Sequence, residues 1–278
     1  MRSAWFWVFG LLTVASPAAG DLLTNGNFET VLNTTGPLPD ACGYWQGNNS
    51  EIVGASSGIT PAEGTHMLQF INTFTGPDGD WGATQCNIYQ LVDLSPFAGL
   101  IQTGTATVTL SAAFNRVVGD SQTDTSFYAG MLAYAGSPSD FPTQWSQHIA
   151  GNGMTVFTDS SLVTWQPATA TMLLPAATTY LAVALGATEN VYNDLQGVEF
   201  DGHFADAVSL VIGGISGDLN CDGSVNFGDI NPFVLLLTNH AAWVQQFAGC
   251  DWHVGDCNGD GWVDFADINP FVAILTGN

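Results

Sequence analysis

The sequence predicts a mainly β chain, an antiparallel sandwich followed by a small helical module, and three observations carry that expectation. Short runs of alternating apolar and polar residues, punctuated by Gly, Pro, Asn, Asp and Ser, fill residues 21–212. No long amphipathic helical pattern interrupts them. A 20-residue stretch then occurs twice, as Asp218–Leu237 and Asp256–Leu275, with 13 positions identical.

Met1–Gly20 reads as a secretory signal. Arg2 forms a positive start, Ala4–Val14 is an apolar run too short to span a bilayer as a stable helix, and Ala18-Ala19-Gly20 offers small residues for cleavage. Removing it takes the net charge from −23 to −24, because Arg2 leaves and no acid does. Arg116 is then the single basic side chain. Nucleic acid and anionic membrane surfaces both need clustered Lys or Arg, so neither is an expected partner. No other apolar run reaches membrane-spanning length, so the expectation is an exported protein at or outside the cell surface.

Residues 21–212 form the large domain. Strands are expected at His66–Ile71, Asn87–Val92, Thr105–Phe114, Ser126–Tyr134, Thr179–Leu185 and Phe204–Ile212, among others. About ten short strands in about 190 residues suit an antiparallel jelly-roll β-sandwich. Trp81, Trp145 and Tyr128 are candidate sugar-stacking aromatics, Trp81 foremost because it lies in the Gly/Asp-rich loop GPDGDWG. Five glutamates and many aspartates leave a glycosidase carboxylate pair conceivable, but no spacing singles one out. The histidines form no HExxH or Ser-His-Asp signature.

Five cysteines in an exported chain point to disulfides with one thiol left over. Cys42–Cys86 and Cys221–Cys250 are the preferred pairs, and Cys257 is an alternative partner for Cys250.

Residues 213–217 are a short linker, too short for reach, and 218–278 form the small domain. Each copy of the repeat opens with a loop of hard oxygen donors. The first places Asp218, Asn220, Asp222, Asn226 and Asp229 at positions 1, 3, 5, 9 and 12. The second places Asp256, Asn258, Asp260, Asp264 and Asp267 there. Gly223 and Gly261 at position 6 permit the sharp turn, and Ser224 and Trp262 at position 7 offer backbone carbonyls. One Ca2+ per loop is expected. Position 12 is Asp rather than the EF-hand Glu, and only an exiting helix is evident. Asn231-Pro232 and Asn269-Pro270 mark the first turn of each exit helix, and Ala241–Ala248 reads as a connecting helix.

Loop plus exit helix, twice over Gly217–Asn278, resembles the type I dockerin module, a duplicated EF-hand-like calcium module that plugs exported proteins into cohesin domains. The chain departs from cellulosomal dockerins at loop positions 10 and 11, where it carries Phe227-Gly228 and Phe265-Ala266, and it has no basic residue in the module. Phe227 and Phe265 are therefore candidate docking residues, for a cohesin-like or a divergent partner with a basic rim. In the large domain, Leu22–Glu29, Glu63–Phe70, Trp165–Leu173 and Asp206–Leu210 are similar to strands of galactose-binding-like jelly rolls, which include many carbohydrate-binding modules. That resemblance implies that Leu22–Glu29 and Asp206–Leu210 are first and last strands. It makes Glu29 and Asp206 candidate ligands of a further, structural calcium. The resulting expectation is a secreted, non-catalytic, calcium-stabilised glycan-binding protein serving extracellular polysaccharide use. The alternatives are a glycoside hydrolase and a purely structural surface or matrix protein.

Overall fold

The computed structural model describes residues 21–72, 85–102, 104–117, 126–159, 161–188, 202–247, 250–258 and 262–277. The signal-like stretch, Trp81, Asp260 and Gly261 lie outside them. Among the described residues ten strands pair with one another antiparallel: β1 Trp45–Gly47, β2 Asn49–Val53, β3 Met67–Asn72, β4 Gln85–Asp93, β5 Thr107–Arg116, β6 Ser126–Tyr134, β7 Ala150–Phe157, β8 Gln166–Leu173, β9 Tyr180–Thr188 and β10 His203–Gly213. They make two five-stranded sheets, one ordered β1-β4-β9-β6-β7 and the other β2-β3-β10-β5-β8.

Alternation decides what lies between the sheets. Ile88 and Val92 of β4, Phe127 and Met131 of β6, and Leu181, Val183 and Leu185 of β9 face Leu68 and Phe70 of β3, Val108, Leu110 and Phe114 of β5, and Leu210 and Ile212 of β10. Phe127 ties the layers, with its ring 5.0 Å from that of Phe114 and 6.2 Å from that of Phe70. β9 is buried on both faces and is therefore an unbroken apolar run rather than an alternating one. Its outer face is covered where Leu91, Tyr134, Phe141, Tyr180 and Ala182 form a second cluster with Leu38.

Leu22–Glu29 departs from the strand implied by resemblance. It lies along β10 through only two main-chain bonds, Leu22 N–H to the Leu210 carbonyl and Val208 N–H to the Gly26 carbonyl. Asn25 and Phe28 take φ of 55° and 52°, which turns the chain instead of extending it. β10 in turn shifts register between Asp206 and Ser209, with Ala207 at φ 49°.

The Cys42–Cys86 disulfide is not formed. Both residues are thiols, and the strand geometry explains why. Cys42 bridges to Leu91, which is five residues further along β4 than Cys86. At about 3.3 Å per residue that is about 16 Å, and the odd offset puts Cys86 on the opposite face, inside the sandwich. The Cys86 thiol donates instead to the Asn49 carbonyl. Denatured, unreduced protein should accordingly show three alkylatable thiols and a single cross-linked peptide pair, Cys221 with Cys250, by mass spectrometry. A Cys42–Cys86 linked peptide would overturn this.

The sandwich carries two short helices, α1 Ala98–Gln102 and α2 Phe141–Gln144, and the C-terminal module holds α3 Ile230–Thr238, α4 His240–Gln246 and α5 Ile268–Thr276, with α3 and α5 each entered through a 3-10 turn. Asn226 with Asp229, and Asp264 with Asp267, form capping boxes that satisfy the first amides of those turns. Phe233 and Phe271 stack at 4.3 Å where α3 meets α5, and Trp243 is fully buried beneath them with Leu219, Leu236, Val244 and Val254. The module joins the sandwich without a free tether. Cys250 forms a parallel bridge with Ile212 of β10, Asp251 N–H donates to the Ile212 carbonyl, and the Cys221–Cys250 disulfide closes the same corner. Among the described residues no helix is long and apolar enough to cross a membrane.

Candidate functional site

The outer face of the first sheet is assembled by register. One row reads Asn87, Gly186, Tyr128, Thr155 across β4, β9, β6 and β7. The next reads Gln46, Tyr89, Ala184, Gly130, Gly153, starting on β1, and the third reads Leu91, Ala182, Leu132, Gly151. Small residues in the middle leave room for large neighbours to lie down. A Cβ on Gly130 would sit 2.0 Å from the Tyr128 hydroxyl oxygen, and one on Gly153 would sit 2.4 Å from it. Tyr128 is therefore laid flat over two glycines. Asn87 does the same over Gly186, where a Cβ would meet its Oδ1 at 2.2 Å. Glycine serves here by permitting close approach.

Tyr89 stands beside this platform. Burial, together with the neighbouring Tyr128, pushes its phenol above the ordinary value, and burial pushes Tyr128 up as well, so both hydroxyls stay protonated donors. A recess of about 250 Å³ adjoins them, lined by Gly36, Pro37, Leu38, Gly47, Asn48, Asn87 and Tyr89. At the other end of β6, Tyr134 stacks on Tyr180 at 5.0 Å and donates to the carbonyl of Trp145. Trp145, at the end of the short helix α2 Phe141–Gln144, is 57% exposed. Tyr128 and Tyr134 are six residues apart on β6, so the two aromatic ends of the face are about 20 Å apart. The three rows carry hydroxyls, amides and aromatic rings and no carboxylate. Sequence reasoning named Tyr128 and Trp145 but missed Tyr89, Asn87 and Gln46, whose role depends on which strands are neighbours.

Glu29 and Asp206 grip one loop from its two ends. Asp206 is fully buried and accepts from the amides of Ala62, Glu63 and Ala207, while Glu29 accepts from the amides of Thr65 and His66 and from the Thr65 hydroxyl. Burial pushes the Asp206 carboxyl up to about 6 against the pull of those amides. For Glu29 burial also pushes up, but the donors of His66 and Thr65 outweigh it and hold the carboxyl at about 2.

In the first C-terminal loop, Asp218 accepts from the amides of Asp222 and Gly223, Asn220 Oδ1 from the amide of Asp222, and Asp229 from the amides of Asn220 and Asn226. The second repeats this at its far end, where Asp267 accepts from Asn258 and Asp264. Among the described residues no three acidic, cysteine or histidine side chains close into a metal cage. The donor chemistry nevertheless fits calcium. Asp218, Asp229 and Asp267 are fully buried carboxylates, and the module contains no Lys or Arg to neutralise them. Trp262, at position 7 of the second loop, is 72% exposed.

The architecture is thus a two-sheet antiparallel sandwich with a helical loop module fused to its end. No protein-family model matches the chain, and no curated protein does. Solved structures similar to it include TmCBM61 in complex with β-1,4-galactotriose, at 16% identity over 68% of this chain and 97% of that one, with a TM-score of 0.38. A second is a family 16 carbohydrate-binding module, at 14% identity over 69% and 99%, with a TM-score of 0.37. A third is the C-terminal family 22 carbohydrate-binding module of Clostridium thermocellum Xyn10B, at 12% identity over 70% and 96%, with a TM-score of 0.37.

Proposed function

We propose that this is a secreted, non-catalytic adaptor that holds a glycan chain across the outer face of its first sheet. Its C-terminal module, folded around two calcium ions, docks it onto a protein partner. The observation that supports the first half is the flat seat of Tyr128 over Gly130 and Gly153, flanked by Asn87 and Tyr89. A ring lying parallel to the sheet offers its face to the apolar side of a sugar, and neighbouring amides and phenols take the hydroxyls. A glycan array on the calcium-loaded protein, run beside a reducing-sugar release assay, tests this. Binding without release is expected; release would favour a glycoside hydrolase, and neither would favour a purely structural surface protein.

In the calcium loops Asp218, Asn220, Asp222, Asn226 and Asp229, and their second-loop equivalents, would hold the ions with the position-7 carbonyls. Bound calcium supplies the counter-charge that these buried carboxylates lack. The docking half rests on equivalent exposed stripes in the two repeats: Phe227, Ile230 and Val234, and Phe265, Ile268 and Val272. Phe227 and Phe265 are 76% and 72% exposed. The acidic surroundings favour a partner with an apolar centre and basic rim, cohesin-like or divergent. In capture from the native secretome, Phe227→Ser and Phe265→Ser singly should each retain the partner and the double variant should lose it. Equal retention by all would place docking elsewhere. The single Arg and apolar run of Met1–Gly20 support export.

A further inference from the structure

The two donor-rich loops share a ligand pattern in sequence, and position 4 is one of the places where they differ. Copy one has Cys221, at φ 53°, between ligand positions Asn220 and Asp222. Copy two has Gly259. A left-handed backbone is freely available to glycine and unfavourable for a residue with a Cβ. Cys221 is held in it from outside the loop, by the disulfide to Cys250. Cys250 is itself buried and fixed, bridged to Ile212 at the end of β10. The Cys221 sulfur also lies 3.7 Å from the Asp218 carbonyl. A second anchor acts one residue after position 1, where the Trp243 indole donates to the Leu219 carbonyl at 3.2 Å.

We propose that the Cys221–Cys250 disulfide is a calcium-positioning element. It clamps the first loop in its ligating shape onto the last strand of the sandwich, so that this loop fills at lower calcium than the second and loses that lead when the bridge is absent. This rests on the reading of both loops as calcium sites. The physical basis is preorganisation. A loop already turned at position 4 spends less of its binding free energy on ordering. An unbridged cysteine there relaxes toward ordinary backbone and carries Asn220 and Asp222 away from the ion.

The test is calcium titration of the full chain by calorimetry and by terbium luminescence, in a Cys257→Ser background that prevents thiol scrambling. With the second loop silenced by Asp260→Ala, adding Cys250→Ala should weaken the remaining site about tenfold, equivalent to about 1.4 kcal/mol. Adding Cys221→Gly as well should recover part of that loss, since glycine adopts the left-handed turn unaided. With the first loop silenced by Asp222→Ala, Cys250→Ala should change the remaining affinity less than twofold. Equal affinity with and without the bridge overturns the proposal, as does equal weakening of both loops, which would make the bridge a general stabiliser. Failure of both unbridged variants to fold at saturating calcium also overturns it. Absence of calcium binding in the parent chain is a separate result and removes the calcium reading itself.

Discussion

Chelation of calcium is expected to abolish the helical circular dichroism of α3, α4 and α5 reversibly while the β signal of the sandwich persists. The module has a small core, essentially Leu219, Phe233, Leu236, Trp243, Val244, Val254 and Phe271 around one disulfide. Cores of this size rarely hold a fold without a staple, and a metal is one of the common ones. Asp218, Asp229 and Asp267 are buried without a cationic side chain, so an empty module keeps carboxylates at close quarters with only amide dipoles to offset them. Burial, with Asp229 and Asp222 nearby, pushes Asp218 up to about 6 in the absence of an ion. At free calcium a thousand times the dissociation constant, each ion adds about 4 kcal/mol to the folded state, enough to decide the fate of so small a domain. Asp222→Ala and Asp260→Ala should each remove one equivalent of bound calcium. A spectrum indifferent to chelator would sink the idea.

The second large effect is expected at a position with no side chain. Gly153→Ala puts a methyl where the Tyr128 ring lies, and the obstructing atoms are the far end of that ring, which swings off the sheet. The fold should survive, because no backbone atom blocks the new methyl at its nearest contacts. Glycan retention should fall about tenfold or more, matching Tyr128→Ala, since truncating a tyrosine hot spot costs about 2 kcal/mol or more. Affinity electrophoresis in a gel carrying the polysaccharide bound on the array would compare the two with wild type. If Gly153→Ala binds normally while Tyr128→Ala does not, the flat seat is irrelevant and the tyrosine acts through its hydroxyl.

Much of the fold was legible because burial in a two-sheet sandwich writes itself as alternation. Ser126–Tyr134 was bounded correctly from Phe127, Ala129 and Met131 alternating with residues of the other face. The two donor-rich loops of the C-terminal module were legible because their oxygen donors recur at fixed spacing within a dozen consecutive residues. What stayed hidden depends on residues distant in sequence. Tyr89 and Asn87 become part of a face only once β4, β9 and β6 are known to be neighbours, and Gly186 announces nothing by itself. Cys42 and Cys86 look like an obvious pair in a list of cysteines, yet strand rise and parity keep them apart. Leu22–Glu29 was expected as a strand from resemblance alone, and left-handed Asn25 and Phe28 turn it away.

The direct passage of β10 into the helical module sets how tension would travel. β10 is the central strand of its sheet, bonded to β3 on one side and β5 on the other. A pull applied to the C-terminal module would act along the axis of that strand, and the ladder bonds run across it. They are loaded together, in shear, instead of one after another as at a peeled edge. The disulfide at the corner sends part of the load from the first loop into the same strand. An anchor holding a polymer in flowing medium meets this kind of stress, and the joint would resist it by geometry, without any increase in equilibrium stability.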